Sequence, residues 1–153
     1  MKNLKYPLLL FAALLSLSSF SPVTKVYDSI KVKPTVKPIV FIENSFSAAL
    51  KKAKVERKYI FVDAYTTWCG PCKQLKNTTF KDSQTADFFN KNFVNLSVDM
   101  EKGEGTDLAE KWGVQEYPTL LILDHSGKVL LRSIGYLDAK QLTAFGKKAL
   151  QKM

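Results

Sequence analysis

Cysteine and histidine are both scarce in this chain of 153 residues, which contains two cysteines and one histidine. Two cysteines allow at most one internal disulfide, which excludes a small scaffold held together by several bridges. A structural zinc site normally takes four cysteine or histidine ligands. Because the whole chain has only three such residues, we expect no bound metal.

The chain also has no apolar run long enough to span a membrane comfortably, since about 20 residues are needed. The apolar run at residues 8–15 follows a positive segment that contains Lys2 and Lys5, and it precedes a serine-rich stretch. This order is typical of a secretory signal peptide, which we predict over residues 1–21, with a retained N-terminal anchor as the alternative. Export would place a bacterial protein in the periplasm, where disulfides persist.

Acidic residues are outnumbered, because 23 lysines and arginines stand against 14 aspartates and glutamates, for a formal charge of +9. A basic excess can indicate binding to nucleic acid or to an anionic membrane surface. Here the lysines are scattered, and the one local group, within residues 51–58, fits the exposed face of a helix. No nucleic-acid-binding motif accompanies them, so we predict no nucleic-acid partner.

The organisation of the chain indicates one domain without internal repeats. Residues 22–38 contain three prolines and no helical pattern, which indicates a linker or an extended arm. Residues 39–153 alternate strand-like and amphipathic segments in the order β-α-β-α-β-α-β-β-α. Helices between strands imply parallel pairs, and the closing hairpin adds antiparallel ones. The predicted fold is α/β, with a central mixed β-sheet of four to five strands flanked by helices on both faces.

The patterns also give approximate element boundaries. The strands are predicted at residues 39–42, 59–65, 93–99, 119–123 and 128–133. The first helix is predicted at about 46–57, and the second at 71–79, with a break before a further piece that runs to residue 90. A short third helix is predicted from a cap at Thr106 or Asp107 to about Trp112, and the last helix follows a cap at Asp138.

The two cysteines lie in the stretch Trp68-Cys69-Gly70-Pro71-Cys72-Lys73, where the strand at 59–65 ends and a helix begins. A helix N-terminus presents free backbone N–H groups and a partial positive charge, which stabilise a thiolate and make the first cysteine a nucleophile. Proline suits the first helical turn, because its missing N–H has no helical partner there. A bridge between these cysteines closes a loop too small to restrain the unfolded chain much. The pair therefore favours redox chemistry over structural stapling.

Several of these features, in this order, resemble the thioredoxin family. The matching pieces, which extend over residues 39–152, are Val62-Asp63, Trp68 to Lys73, Tyr117-Pro118-Thr119, the turn at Gly127, and Gly135. A narrower likeness is to exported thioredoxin-like domains of the bacterial envelope, including those at the end of membrane thiol-reductant conduits. It is carried by Asp63-Ala64-Tyr65, Phe80 with Asp82, and residues 98–101. The resemblance implies a thioredoxin fold.

The resemblance also assigns roles within the cysteine motif. Cys69 would attack a substrate disulfide and form a mixed disulfide, which Cys72 would resolve. Gly70 and Pro71 would tune the reduction potential and the turn, and Trp68 would cover the site. The redox-active cysteine pair itself carries the electrons, so no cofactor is implied.

Two further positions match the substrate and proton sites of the family. Pro118 would be a cis proline facing the cysteines, and the backbone of Tyr117 would pair with an extended substrate segment. Asp63 is a carboxylate in a buried apolar strand, where desolvation should raise its pKa. In the family the matching acid accepts, through water, the proton that the second cysteine must lose. The alternative for Asp63 is a salt-bridged acid or one exposed at a sheet edge.

The chain departs from the family pattern at three places. Asn95 stands nearest to where many thioredoxins carry a lysine close to the buried acid, so we expect altered charge coupling around Asp63. Tyr117 replaces a small or β-branched residue, and its bulky phenol should either narrow substrate choice or tune the reactivity of Cys69. Thr66 and Thr67 replace the commoner small and acidic residues before the tryptophan.

Two functions are compatible with these features. The first is a thiol–disulfide oxidoreductase, and by resemblance the Gly-Pro spacer favours a reductase of protein disulfides in the bacterial envelope. Its partners would be disulfide-containing proteins and a membrane thiol-reductant donor, and we expect a monomer. The second is a thioredoxin-fold binding or assembly module without redox turnover.

Overall fold

The computed structural model describes residues 37–151. The predicted signal peptide, its anchor alternative and nearly all of the predicted linker lie outside the described residues. No helix within residues 37–151 is long and apolar enough to cross a bilayer.

The described part of the chain forms five strands and five α-helices in the predicted order. They are β1 (Phe41–Glu43), α1 (Phe46–Glu56), β2 (Tyr59–Tyr65), α2 (Gly70–Asn77), α3 (Ser83–Asn92), β3 (Phe93–Asp99), α4 (Gly105–Trp112), β4 (Thr119–Leu123), β5 (Val129–Ile134) and α5 (Ala139–Leu150). A 3-10 turn, Thr79–Lys81, lies between α2 and α3, where the sequence predicted a broken helix.

The strands form one sheet with the order β1-β3-β2-β4-β5. β3 pairs in parallel with β1 and β2, whereas β4 pairs antiparallel with β2 and β5. The predicted α/β fold with a mixed sheet is confirmed, with five strands among the described residues. β2 occupies the centre of this sheet, so its side chains are covered on both faces.

Two apolar layers cover the sheet. On one face α1 and α4 pack through residues such as Phe46 and Leu108, and on the other α2, α3 and α5 pack through residues such as Leu75. Successive side chains of a strand point to opposite faces. Phe61 of β2 belongs to the second layer, so Asp63, two residues later, lies on the face that also carries the cysteine helix α2.

Several elements begin or end one to three residues away from their predicted bounds. β1 covers Phe41–Glu43 rather than 39–42, and α2 begins at Gly70 rather than at Pro71. The predicted cap of α4 at Thr106 or Asp107 is wrong, because this helix already begins at Gly105. A Cβ at Gly105 would lie 1.9 Å from the carbonyl oxygen of Asp99. The first turn of α4 can approach the end of β3 this closely only because glycine has no side chain.

Candidate active site

The two cysteines are joined in a disulfide at the start of α2, with 5.3 Å between their Cα atoms. Cys69 directly precedes the helix, and its Sγ accepts a hydrogen bond of 3.1 Å from the backbone N–H of Cys72. Gly70 and Pro71 occupy the first turn, where proline loses no helical hydrogen bond. The helix start therefore directs a free N–H group at the sulfur of Cys69, where it would stabilise negative charge.

Trp68, the residue before the disulfide, is 65% exposed, but its side chain makes a hydrogen bond and an aromatic contact. Its indole N–H donates to both carboxylate oxygens of Glu101, each over 3.0 Å. Its ring also meets the Tyr117 ring edge-on, with 5.9 Å between the centroids. Sequence reasoning missed Glu101, which lies in the loop between β3 and α4, since no motif links that loop to the tryptophan.

The peptide bond between Tyr117 and Pro118 is cis, as predicted. Pro118 is buried directly before β4, and Tyr117 is half-buried. The carbonyl oxygen of Pro118 accepts a hydrogen bond of 2.8 Å from the N–H of Gly135. Because Tyr117 contacts Trp68, the segment before β4 and the segment before α2 meet at one end of the sheet.

Asp63 is fully buried in the central strand β2. Its Oδ2 accepts a hydrogen bond of 3.0 Å from the Ser97 hydroxyl, while its Oδ1 has no hydrogen-bond partner among residues 37–151. Burial raises the pKa of Asp63 to about 6, against the opposing effects of the Lys76 charge and the Ser97 bond; Glu43 adds slightly to the rise. The predicted upward shift is confirmed. The alternative of a salt-bridged or edge-exposed acid is wrong, because Asp63 is buried in the central strand and none of the ion pairs in the described part of the chain involves it.

The structure does not bring Asn95 into hydrogen-bond contact with Asp63. In the register of β2 and β3, Asn95 lies opposite Phe61, and Ser97 lies opposite Asp63. The amide nitrogen of Asn95 instead donates to the Val40 carbonyl over 3.3 Å and to the Asn90 side chain over 3.2 Å. The residue of β3 that contacts the Asp63 carboxylate is therefore Ser97, through its hydroxyl group, and not Asn95.

The cation that acts on Asp63 comes from the helix. Lys76 lies on α2, and its charge lowers the pKa of Asp63. Sequence reasoning missed both Lys76 and Ser97. A signal for Lys76 was present, since it follows Cys72 by four residues and so shares its helix face. A signal for Ser97 required the strand register.

No group of three or more histidine, cysteine, aspartate or glutamate side chains in the described ranges is placed to hold a metal ion. The site consists instead of a disulfide, two aromatic rings of which one is hydrogen-bonded to a glutamate, a cis proline and a buried carboxylate. A family model described as a thioredoxin-like domain matches residues 46–150. The chain belongs to the thioredoxin-like family.

Individual relatives agree with this assignment. A candidate disulphide-isomerase from Bacteroides thetaiotaomicron, solved in solution, shares 52% identity and a TM-score of 0.68 over 77% of this chain and 98% of its own. The thiol:disulfide interchange protein DsbD of Pseudoalteromonas atlantica is 31% identical over 111 residues, which are 70% of this chain and 19% of DsbD. Thioredoxin-1 of Drosophila melanogaster is 34% identical over 86 residues, covering 56% of this chain and 74% of its own length. The predicted thioredoxin fold is confirmed, and the chain spans about a fifth of the length of the DsbD relative.

Proposed function

We propose that this protein is a thiol–disulfide oxidoreductase that reduces protein disulfides in the bacterial envelope. The observation that carries the proposal is the Cys69–Cys72 disulfide at the start of α2, with the Cys69 sulfur accepting a backbone N–H. A thiolate at this position is stabilised by the helix start, and a second cysteine stands within bonding distance. Membership of the thioredoxin-like family supports the same activity.

Reduction begins from the dithiol form of the cysteine pair. The Cys69 thiolate attacks one sulfur of the substrate disulfide, so that a mixed disulfide forms and the other substrate sulfur leaves and takes up a proton. Cys72 then loses its proton and attacks the Cys69 sulfur, which restores the internal disulfide and releases the second substrate thiol. Two electrons and two protons pass to the substrate, so a donor dithiol must reduce the pair again.

Asp63 is the proposed acceptor of the Cys72 proton. Its pKa of about 6 leaves it largely ionised at neutral pH but still basic enough to take up a proton. It lies on the sheet face that carries α2, and no group of the described chain donates a hydrogen bond to its Oδ1. A water molecule bound to that oxygen would complete its hydrogen bonding and link it to the cysteine.

The rim formed by Trp68, Tyr117 and Pro118 is the proposed docking site for the substrate. An extended segment would pair with the backbone beside Pro118, in the manner of a short added strand. The Tyr117 ring stands against Trp68 in this rim. It therefore narrows the space beside the disulfide, and we propose that it restricts the size of the residues next to the substrate cysteine.

We further propose that the protein works in the periplasm. The charged, apolar and serine-rich order at residues 1–21 supports export, either with cleavage or with a retained anchor. In an oxidising compartment a reductase requires a supply of electrons. The similarity to the interchange protein DsbD supports a membrane thiol-reductant as the donor.

Reduction of insulin driven by dithiothreitol tests the activity. The wild-type protein should accelerate it, Cys69→Ser should abolish the effect, and Cys72→Ser should accumulate mixed disulfides through Cys69. Absence of turnover, or a Cys69→Ser variant as active as the wild type, would favour a binding module without redox chemistry.

The direction of electron flow follows from the reduction potential of the cysteine pair. A reductase should lie near the value of thioredoxin, about −270 mV, and an oxidant near that of DsbA, about −120 mV. Equilibration with glutathione buffers measures it. For the location, residues 1–36 fused to a reporter that is active only after export should yield activity, and a silent fusion would contradict the periplasmic proposal.

A further inference from the structure

Lys76 stands over the aromatic ring of Tyr65, with its Nζ 3.4 Å from the ring centre. On α2 it follows Cys72 by four residues, so the two side chains lie on one helix face, one turn apart. Tyr65 follows Asp63 by two residues on β2, so both point to the same face of the sheet. The contact between lysine and tyrosine therefore fixes a cation between the cysteine helix and the strand of the buried acid.

A cavity of about 180 Å³ adjoins this contact, lined by Tyr65, Thr66, Thr67, Cys72, Lys73 and Lys76. The Thr66 hydroxyl is buried and has no hydrogen-bond partner in the part of the chain that the structure describes. A cavity of this size has room for water, and a buried hydroxyl without a protein partner is the kind of group that binds it. Water in this cavity would reach both the resolving cysteine and the lysine ammonium group.

We propose that Lys76 is a positioning residue for the resolving step, and that this cavity is the route by which the Cys72 proton exchanges with solvent. The proposal rests on the oxidoreductase function proposed above. When the S–H bond of Cys72 breaks, the sulfur keeps the electron pair and attacks Cys69. The proton passes to the Asp63 carboxylate, which lies on the same face of β2 as the cavity-lining Tyr65. The cavity water then carries it to solvent.

The groups around Asp63 explain why a nearby cation is needed to keep its carboxyl group ionised near neutral pH. Glu43 from β1 acts against ionisation, the Ser97 hydroxyl from β3 favours it, and Lys76 from α2 is the one cation acting on Asp63 among the described residues. Tyr65 and Asp99 lie further along the same face, and Asp99 is paired with Lys102 over 3.4 Å. Without Lys76, burial and Glu43 would keep the carboxyl group protonated to higher pH, so it would accept no proton near neutrality.

The experiment compares Lys76→Met, Lys76→Arg and the matched control Lys73→Met, which alters the other lysine of the cavity. A ¹³C titration of the Asp63 carboxyl in the oxidised protein should show a higher midpoint in Lys76→Met and wild-type midpoints in the other two. Insulin turnover by Lys76→Met should fall on the order of 3–10-fold at about pH 6 and little at about pH 8, with Lys76→Arg restoring it.

The cavity is tested by Thr66→Val, which keeps the side-chain shape and removes the hydroxyl. It should slow insulin turnover without moving the Asp63 titration. An Asp63 midpoint unchanged by Lys76→Met overturns the role of Lys76, and full turnover in Thr66→Val overturns the proton route. Failure of the wild-type protein to reduce insulin would instead overturn the proposed function, so the two failures are distinguishable.

Discussion

The hydroxyl of Ser97 donates a hydrogen bond of 3.0 Å to Oδ2 of Asp63 inside the sheet. The two residues face each other across β2 and β3, and both are fully buried. The second carboxylate oxygen, Oδ1, has no hydrogen-bond partner within the described residues. Burial thus disfavours the ionised form while one hydrogen bond favours it, which leaves the carboxyl group able to exchange a proton near neutral pH.

Asp63→Asn should stabilise the oxidised protein at neutral pH. The pKa of this carboxyl group falls from about 6 to its ordinary value of 3.8 on unfolding, so the folded state binds more protons between these pH values. The stabilisation by proton binding is fully present below the unfolded pKa and is lost as the pH rises through the folded one. The asparagine variant escapes this loss, which is worth about 2–3 kcal/mol.

Urea unfolding of the oxidised proteins at about pH 4 and about pH 8 measures the effect. The advantage of Asp63→Asn over the wild type should be larger at the higher pH by the stated amount. Asp107→Asn, which changes an exposed acid on α4, serves as the control and should show no such change. An advantage independent of pH would mean that folding does not raise the pKa of the Asp63 carboxyl group.

Ser97→Ala should weaken the proposed proton acceptor. Loss of the hydroxyl removes the hydrogen bond that the carboxylate accepts from Ser97, which raises the pKa of Asp63 further and costs about 1–2 kcal/mol of stability. Insulin turnover should therefore fall at neutral pH and recover at higher pH. Ser133→Ala on β5 is the matched control, and an unchanged pH profile for Ser97→Ala would contradict the role of this bond.

The strand β2 and its acid were predictable from sequence, whereas the partner of that acid was not. Apart from Asp63, the run Tyr59–Tyr65 is apolar and mostly β-branched or aromatic, so the carboxylate within it stands out. Which residue of β3 faces Asp63 depends on the register between two parallel strands, and a shift of one residue would replace Ser97 by an apolar neighbour. The family pattern directed attention to Asn95, which lies one pleat away.

The contact between Glu101 and Trp68 could not be predicted from the sequence for a different reason. The position of Glu101 depends on the path of the chain between β3 and α4, and that path depends on the close approach of Gly105 to Asp99. Glycine in a loop indicates flexibility as readily as tight packing, so the sequence favoured a later helix start. The steric requirement appears only when the two backbones are placed together.

Gly105→Ala should therefore destabilise the protein by about 3 kcal/mol or more, because the added Cβ would overlap a backbone carbonyl that cannot move without disturbing β3. Gly70→Ala is the matched control, since a Cβ there meets no atom within 4 Å. Urea unfolding of both variants measures the difference. Equal midpoints for the two variants would show that the start of α4 adjusts freely.

Glu101→Ala should free the indole of Trp68 with little loss of stability, since both groups are exposed and the bond is worth about 1 kcal/mol or less. The chain has two tryptophans, and Trp112 is buried, so acrylamide quenching of fluorescence reports mainly on Trp68. Quenching should increase in Glu101→Ala and stay unchanged in the control Glu110→Ala. Identical quenching in both variants would mean that Tyr117 alone holds the indole.

Tyr117→Val should broaden substrate choice while leaving the chemistry of the cysteine pair intact. The ring of Tyr117 packs edge-on against Trp68 beside the disulfide, and valine removes the ring while keeping a β-branched side chain before Pro118. A small disulfide such as oxidised glutathione need not contact the ring, whereas a folded protein substrate must pass it. The ratio of kcat/KM for insulin to that for oxidised glutathione should therefore rise about 10-fold, the lower end of the range expected for changed contacts in one pocket. Tyr136→Phe, which alters a tyrosine hydrogen-bonded to Thr78 and Thr79, should leave the ratio unchanged. A rise in both rates by the same factor would place the effect of Tyr117 on the reactivity of Cys69 rather than on the fit of the substrate.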